Sequence, residues 1–406
     1  MIKENNSRYH AFNIVYQFDS TKHQLKSIRH EYYRKNNTSS SERSRSMVLS
    51  NEVVRWQRRL DSWISLSLDK PIKKLPPKVL SILRLAYYEY IMDDNIPVHA
   101  AVDSWVELSK KITNKKLSGL INAVLRKAHS INKKMPIPNQ DLASWQSFPD
   151  WMIANWVNQF GKSKTNKLID YLNQSHGTDL RINLPIDKVE SRLLDQGISW
   201  SNSPNSKNFI RINSGLRKIL SSQIHLSGKV FVQNRAAGAV VEILNPKPSE
   251  TILDVCAAPG TKSIYIFQKM NQSGNLFASD INSSQVAKSF KRCNELELSI
   301  DWKVKDATKD IFPMADRILI DAPCTGTGVI SRNPDIKWRK DSKDTDKMSA
   351  YQIKILFHIS KFLKNNGVIV YATCSMENQE NWNVIDSFLK LNLNYKLESI
   401  DKLAPR

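Results

Sequence analysis

Strands and helices alternate regularly along the sequence from about residue 230, and this alternation limits the fold more than any other feature. Segments of strand length, namely TILDVC, NLFASD, DWKVKD, DRILIDAPC and GVIVYATCS, alternate with segments in which apolar residues recur at helical spacing. Such alternation implies a parallel sheet covered by helices on both faces. We therefore predict a Rossmann-like α/β domain over residues 231–406, with ligands bound outside the carboxyl ends of its strands.

Two segments of different character precede this domain. Residues 1–135 place apolar residues three or four apart in five stretches with prolines between them, which predicts an all-α bundle. Residues 131–145 hold two prolines and little periodicity, which indicates a linker. Residues 146–230 mix helical and strand-like stretches, and we predict a small α+β subdomain there.

The net charge of +21 is distributed unevenly. Residues 1–250 carry 38 Lys and Arg against 21 Asp and Glu, whereas residues 251–406 carry 22 against 18. The basic N-terminal part favours a polyanionic partner, with nucleic acid ahead of a membrane because no basic amphipathic anchor stands out. A general bias toward Lys and Asn would explain part of this charge without any ligand.

Several protein classes are disfavoured by what the sequence lacks. No apolar run approaches the roughly 20 residues that span a bilayer, and the N-terminus does not resemble a signal peptide, so we expect a cytoplasmic protein. The four cysteines form no CxxC pair and no Cys/His cluster with zinc spacing. We therefore expect free thiols, no disulfide framework and no metal site.

Small residues and aspartates at the strand ends indicate a cofactor site. The turn after the first strand consists of Cys256, Ala257, Ala258, Pro259, Gly260, Thr261 and Lys262. Asp280 ends the second strand, where a carboxylate can bind ribose hydroxyls, and Asp306 ends the third, where it can meet an adenine edge. Because the turn is not G-x-G-x-x-G, a nucleoside without phosphates, such as S-adenosylmethionine, fits better than a dinucleotide. Each aspartate alone could be a helix cap, but aspartates at successive strand ends together favour a binding site.

Two cysteines follow the fourth and fifth strands. Asp321 and Cys324 lie in DAPC, and Cys374 lies in TCS. A thiolate that adds to carbon 6 of cytosine makes carbon 5 nucleophilic toward a methyl group, and a carboxyl near ring nitrogen 3 favours the addition. These residues therefore indicate methylation of cytosine carbon 5, without deciding which thiol attacks. Burial as small apolar residues is the alternative for both cysteines, and we expect such packing roles for Cys256 and Cys293.

These motifs resemble those of the RNA cytosine-5 methyltransferases, in particular the 16S rRNA enzymes of the RsmB type, also called Sun or Fmu. DVCAAPGTK, DAPCTGTGVISRNPDIKW and VIVYATCSMENQEN are similar to the first, fourth and sixth motifs of that family. AFNIVYQFD, LRLAYYEY and IPVHAAVDSWVELSKKITNKKLSGLINAVLRK resemble the helical NusB-type RNA-binding domain. The resemblance covers nearly the whole chain and implies a class I methyltransferase fold behind an all-α NusB-like domain and the small α+β subdomain.

The resemblance also implies a role for each candidate residue. Cys374 would be the nucleophile and Cys324 would assist release of the methylated product. Asp321 would contact the cytosine ring and the cofactor region, and Lys262 would orient the reactive groups. S-adenosylmethionine would be held by the turn residues Cys256, Ala257, Ala258, Pro259, Gly260, Thr261 and Lys262 with Asp280, Asp306 and Asp321. The implied partner is 16S rRNA, free or in early assembly, and the implied state is a monomer.

The sequence departs from the family pattern at three places. Thr261 stands where the family usually has Gly, and Asn234 where Asp is usual. The chain ends in APR, where the family usually continues into an Asp-Gly-Phe-Phe strand, so we expect the fifth strand to lack a neighbour.

Two alternatives stay open at this point. A transfer-RNA-specific methyltransferase is disfavoured by the NusB-like stretch. A non-catalytic RNA-binding ribosome-assembly factor is favoured by the basic N-terminal part and by the missing strand. The presence of both cysteines argues against it, because nothing in a binding module requires them.

Overall fold

The computed structural model describes residues 6–94, 96, 98–128, 141–203 and 208–399. They form two compact units, one of residues up to 175 with 326–342 and one of residues 176–325 with those from 343 onward. These boundaries differ from those of the three predicted segments, because the helices after residue 141 group with the N-terminal helices and residues 326–342 join them. Most of the predicted linker, residues 131–140, lies outside the described residues.

The first unit is helical, as the periodicity of apolar residues predicted. Its core is made of large side chains from distant helices, including the fully buried Trp63, Tyr87 and Trp105. The helix between residues 25 and 35, whose sequence LKSIRHEYYRK is mostly polar, was not predicted. The helices preceding residue 175 are α1 (Ser7–Ser20), α2 (Leu25–Lys35), α3 (Ser40–Arg55), α4 (Gln57–Leu66), α5 (Pro77–Tyr87), α6 (Val98–Ile112), α7 (Lys115–Lys127), α8 (Leu142–Gln146), α9 (Asp150–Phe160) and α10 (Lys162–Asn173).

Residues 326–342 are packed into this first unit through a buried lysine. The Lys337 side chain is only 1% exposed, and its Nζ donates to the backbone oxygens of Arg55 (3.3 Å) and Ser147 (3.1 Å) and to Oδ1 of Asn173 (2.7 Å). The same Nζ lies 3.6 Å from the centre of the Phe148 ring. Burial lowers the pKa of Lys337, yet three acceptors match the three N–H donors of an ammonium group. This side chain therefore fixes residues 326–342 in the first unit.

Replacing Lys337 with methionine should destabilise the protein by about 3 kcal/mol, because three buried acceptors would lose their donor while the space stays filled. Urea unfolding measures this loss, and Lys343→Met, at an exposed position, is the matched control with little expected effect. Equal stability of Lys337→Met and wild type would contradict the assigned hydrogen bonds.

The second unit contains two sheets. The smaller has the order β2-β3-β1-β4, in which every neighbouring pair is antiparallel. Its strands are β1 (Thr178–Ile182), β2 (Trp200–Asn202), β3 (Phe209–Ile212) and β4 (Val230–Val232). The sequence indicated β1 and β3; β2 and β4, with three residues each, are too short to show an apolar pattern.

The larger sheet confirms the α/β prediction. Its five strands are parallel, in the order β7-β6-β5-β8-β9. They are β5 (Thr251–Val255), β6 (Asn275–Asp280), β7 (Asp301–Val304), β8 (Ala315–Asp321) and β9 (Leu363–Ala372). The strand order reverses between β5 and β8, and ligands of such sheets bind in the crevice at this reversal. The residues after β5 and β8 are therefore the first place to look for a site.

The remaining helices are α11 (Ile186–Asp195), α12 (Leu216–Leu220), α13 (Gln223–Leu226), α14 (Arg235–Leu244), α15 (Thr261–Lys269), α16 (Ser283–Glu295), α17 (Ile336–Arg339), α18 (Ser342–Ile359) and α19 (Trp382–Leu391). Of these, α17 belongs to the first unit. Helix α18 ends at Ile359, because residue 363 already pairs with Ala315 in the sheet. None of the described helices combines the length and apolar character that crossing a membrane requires.

One edge of the large sheet is formed by β9. Within the described ranges, β8 is the strand that pairs with it, and no strand pairs with its other edge. Its residues from Gly367 to Ala372 are half-buried, whereas four of the five residues of the central strand β5 are fully buried. The final residues, 400–406, lie outside the described part of the chain.

Candidate active site

The turn after β5 has a backbone that requires small residues. Cys256 takes a φ of 60° and Gly260 a φ of 91°, which is the left-handed region that favours glycine. A Cβ atom on Gly260 would lie 2.9 Å from the Trp302 ring, so no side chain fits there. Thr261, which stands where the family usually has Gly, is the first residue of α15 and is accommodated at the helix start.

The predicted cofactor aspartates are gathered around this turn. Asp280, at the end of β6, accepts through Oδ2 from the Ala258 backbone N–H at 3.2 Å. Cys256 is surrounded by charges: burial raises its pKa, and Asp280, Asp321, Asp254 and Asp306 raise it further. Cys256 is therefore a neutral thiol in an acidic crevice, which fits its predicted place in the cofactor wall. An acidic crevice also suits a cationic sulfonium ligand.

Asp306 follows β7 and is partly engaged in a local turn. Its Oδ1 accepts from the backbone N–H of Thr308 (2.9 Å) and from the Thr308 hydroxyl (2.7 Å), and these bonds lower the pKa of Asp306. The carboxylate is thus ionised and fixed in direction. Its predicted contact with an adenine edge stays a prediction.

Asp254 lies within β5, beneath the turn, and is fully buried. Its Oδ2 accepts from the Ser263 hydroxyl at 2.6 Å, whereas its Oδ1 has no hydrogen-bond partner among the described residues. Burial raises the pKa of Asp254 to about 7. Asp254 was not among the predicted site residues, because the sequence of an apolar strand does not show whether a carboxylate within it is buried.

Lys262 and Asp321 form an ion pair between helix α15 and the end of β8. The Lys262 Nζ lies 2.5 Å from Oδ2 of Asp321, and the two side chains are 16% and 32% exposed. Both side chains are therefore partly exposed to solvent, and the ion pair fixes their orientation. It joins the turn after β5 to the strand that leads to Cys324.

The two candidate thiols are in contact. The Sγ atoms of Cys324 and Cys374 lie 3.2 Å apart, and the Cys374 side chain is the more exposed of the two. Their mutual hydrogen bond raises the pKa of Cys324, which burial raises further. The same bond lowers the pKa of Cys374, an effect that burial and the Asp321 charge oppose and the Lys262 charge supports. The Cys374 backbone N–H donates to Cys324 Sγ at 3.3 Å, a bond that alone would favour a thiolate at Cys324. The hydrogen bond between the thiols and the greater exposure of Cys374 favour Cys374 as the thiolate.

The remaining cysteine is a core residue. Cys293, in α16, is buried and its Sγ accepts from Trp302 Nε1 at 3.3 Å.

Within the described ranges, no group of three or more His, Cys, Asp and Glu side chains is arranged to hold a metal ion.

Sequence reasoning missed several polar residues beside the thiols. Two of them, Tyr351 and Gln352, lie on α18. Burial raises the pKa of Tyr351, and the charges of Asp306 and Asp280 raise it further. Gln352 donates to the Pro323 backbone oxygen at 2.9 Å. Glu380 bonds to residues beside both thiols. The motif SMENQEN was a signal for Glu380, but its sequence does not show which partners that carboxylate meets.

Comparisons with known proteins give this geometry a context. The profile of the family described as "16S rRNA methyltransferase RsmB/F" matches residues 241–405, and that of the NusB family matches residues 5–130. The chain is 32% identical to the "Probable ribosomal RNA small subunit methyltransferase B" of Synechocystis, over 87% of this chain and 82% of the relative. It is 31% identical to "Ribosomal RNA small subunit methyltransferase B" of Proteus mirabilis, over 87% of this chain and 84% of the relative.

A solved structure has the same fold. The crystal structure of PH0851 superposes with a TM-score of 0.76 at 22% identity, over 95% of this chain and 89% of the other. The fold, the matches to both domains and the curated relatives agree. The chain therefore belongs to the RsmB/F family of 16S rRNA methyltransferases.

Proposed function

We propose that this chain transfers the methyl group of S-adenosylmethionine to carbon 5 of a cytosine in 16S rRNA. The observation that carries the proposal is the contact of two thiols, 3.2 Å apart, beside a Lys262–Asp321 ion pair at the carboxyl ends of β8 and β9. Carbon 5 of cytosine is a poor nucleophile and needs covalent activation, for which one thiol attacks and a second group manages protons.

The proposed reaction begins at Cys374. Its thiolate forms a bond to carbon 6 of the cytosine, and electron density moves to carbon 5 while ring nitrogen 3 is protonated or hydrogen-bonded near Asp321. When bound, S-adenosylmethionine supplies an electrophilic methyl group on a positively charged sulfur. Once carbon 5 carries the methyl group, a base takes the carbon 5 proton, the electron pair of that C–H bond re-forms the double bond between carbons 5 and 6, and the Cys374 thiolate is expelled from carbon 6.

The neighbouring groups have separate tasks in this proposal. Cys324, with a raised pKa, donates a hydrogen bond to the Cys374 thiolate before attack and assists release of the methylated base afterward. Lys262 holds the Asp321 carboxylate in place and favours the Cys374 thiolate by its charge. The acidic wall made by Asp280, Asp306 and the turn after β5 would hold the cofactor and its positive sulfur.

The substrate must present an unstacked cytosine, because a base within a duplex cannot reach a thiol at a strand end. The excess of Lys and Arg over residues 1–250 would contact phosphates and would make binding salt-dependent. We propose free or early-assembly 16S rRNA as the substrate, a monomer as the working state and the cytoplasm as the compartment.

Of the two alternatives from the sequence, neither gains support from the site. A ribosome-assembly factor without catalysis would have no use for two thiols in contact beside a fixed ion pair. A transfer-RNA-specific enzyme does not account for the match of residues 5–130 to the NusB family.

The proposal is tested by incubating the purified protein with S-adenosylmethionine and unmodified 16S rRNA, followed by mass spectrometry of the digested RNA. We expect 5-methylcytosine to appear, up to one per RNA, and none on unmodified transfer RNA. The absence of 5-methylcytosine despite RNA binding would count against the proposed reaction and would favour the assembly factor.

A further inference from the structure

Glu380 is a carboxylate buried beside the two thiols, and the reaction described above does not use it. It lies in the short helical turn Asn378–Glu380 and its side chain is 0% exposed. Its Oε2 accepts from the Thr325 backbone N–H and from Gln352 Nε2, each at 2.9 Å. Its Oε1 accepts from the Ser375 hydroxyl at 2.6 Å and from the Thr325 hydroxyl. Four donors thus converge on one carboxylate.

The positions of these donors in the chain connect the two thiols. Thr325 directly follows Cys324, and Ser375 directly follows Cys374. Glu380 therefore bonds to the residue after each thiol, although the two cysteines are separated by 50 positions in the sequence. The hydroxyls of Thr325 and Ser375 are also only 3.2 Å apart. The carboxylate is the common partner that joins the turn after β8 to the turn after β9.

A carboxylate is the group that this position requires. Among the described residues, no cation forms an ion pair with Glu380, and a buried carboxylate without a counterion is costly to place. Four hydrogen bonds offset that cost, because an ionised carboxylate only accepts. A glutamine of the same shape would turn an NH₂ group toward two of the donors. An apolar residue of similar size would fill the same space without the free-energy cost of burying a charge, so space filling does not explain a carboxylate here.

The segment that carries Glu380 is itself anchored to the Cys374 turn. Asn381 accepts from the Thr373 hydroxyl at 2.6 Å and donates to the backbone oxygens of Ser375 and Glu377, each at 3.0 Å. The Tyr371 hydroxyl donates to the Glu380 backbone oxygen at 2.7 Å. The Glu380 side chain therefore extends from a fixed base, and its bonds to Thr325 set the position of the Cys324 turn.

We propose that Glu380 is a positioning residue that holds the Cys324 and Cys374 thiols at contact distance. This inference rests on the proposed roles of the two thiols, but the hydrogen bonds that carry it can be tested apart from the reaction. When the bonds from Glu380 are lost, the turns after β8 and β9 separate and Cys374 loses the hydrogen bond that stabilises its thiolate. The attacking group is then both misplaced and less ionised at neutral pH.

The test is Glu380→Gln with a readout that needs neither RNA nor cofactor. The rate of Cys374 alkylation by iodoacetamide is measured against pH, with the modified peptide quantified by mass spectrometry. We expect the midpoint of this profile to rise by about one pH unit in the variant, because the thiolate loses the donor that stabilises it. Removing the Glu380 charge acts in the opposite direction, since that charge raises the pKa of the neighbouring Cys324 thiol, so a rise reports the lost hydrogen bond. On 16S rRNA we expect kcat to fall about 10²-fold with little change in KM, as for a misplaced reacting group.

A second buried carboxylate serves as the matched control. Glu89, in the first unit, is 1% exposed and bonds to Arg8, Arg45 and Trp105. Glu89→Gln should lower stability without moving the alkylation midpoint. If Glu380→Gln does not fold, Ser375→Ala and Thr325→Val each remove one hydroxyl donor and should move the midpoint by a smaller amount.

The outcomes separate this inference from the proposed reaction. An unchanged midpoint in folded Glu380→Gln, or in both single-hydroxyl variants, overturns the positioning role. A raised midpoint supports that role even if the wild-type protein methylates no RNA, in which case the proposed reaction alone has failed.

Discussion

Cys374→Ala should abolish methylation of 16S rRNA, whereas Cys324→Ala should leave the protein covalently attached to its RNA. Without Cys374 no bond to carbon 6 can form, and the rate should fall by at least about 10⁴-fold, as when a covalent nucleophile is lost. Without Cys324 the attack can still occur, but the group that assists release, 3.2 Å from the attacking sulfur, is missing. The reaction should then stop at the adduct between Cys374 and the base.

Both results can be read from one denaturing gel and one mass spectrum. The Cys324→Ala protein should run as a slow band that disappears on RNase treatment, and the double variant with Cys374→Ala should show no such band. Cys293→Ala controls for loss of a thiol as such, since that cysteine is a buried core residue. An adduct with Cys374→Ala, and none with Cys324→Ala, would reverse the two roles.

The second large effect concerns stability and pH, and it arises from Asp254. Its pKa is raised by burial from the ordinary value of 3.8 to about 7 in the folded protein, so the folded state keeps a proton that the unfolded chain loses in this range. The stability contributed by this proton is complete below about pH 4 and is lost as the pH rises to about 7. The loss amounts to about 4 kcal/mol, because a tenfold change in proton affinity between the folded and unfolded states corresponds to about 1.4 kcal/mol.

Asp254→Asn removes the titration and should remove this part of the pH dependence. The free energy of unfolding from urea titrations at pH 5 and pH 8 measures it for both proteins. Wild type should lose more stability than Asp254→Asn between these values, while Asp195→Asn, at an exposed position, should behave as wild type. Parallel behaviour of wild type and Asp254→Asn would mean that Asp254 is ionised in the fold.

The sequence predicted the parts of the site that lie next to one another in the chain. The five parallel strands were predictable because segments of strand length alternate with helical ones, and the turn after β5 and the two cysteines follow such strands. Strands β2 and β4 were not, because three residues do not show a pattern. Their pairing depends on neighbours that are distant in the sequence.

Contacts over long sequence separations explain the rest of what was missed. Glu380 lies six residues after Cys374, yet two of its four bonds are to Thr325, 55 positions earlier. Lys337 belongs to a motif that resembles the catalytic family, yet its partners Asn173 and Ser147 lie more than 160 positions away. Spacing within a motif gives residue types and their order, whereas only the folded chain shows which distant donors and acceptors meet.

The grouping of residues 326–342 with the N-terminal helices has a consequence for how such a chain can evolve. A protein whose parts lie on either side of a single junction can exchange one part by recombination there. This chain passes from one unit to the other three times, near residues 175, 325 and 342, and the inserted piece carries the lysine that the first unit encloses. A gene fragment ending at residue 175 would therefore encode a helical unit with three buried acceptors lacking their donor. Residues 1–175 and residues 326–342 are thus expected to be inherited together, and a substitution around Lys337 constrains the sequence of the N-terminal helices.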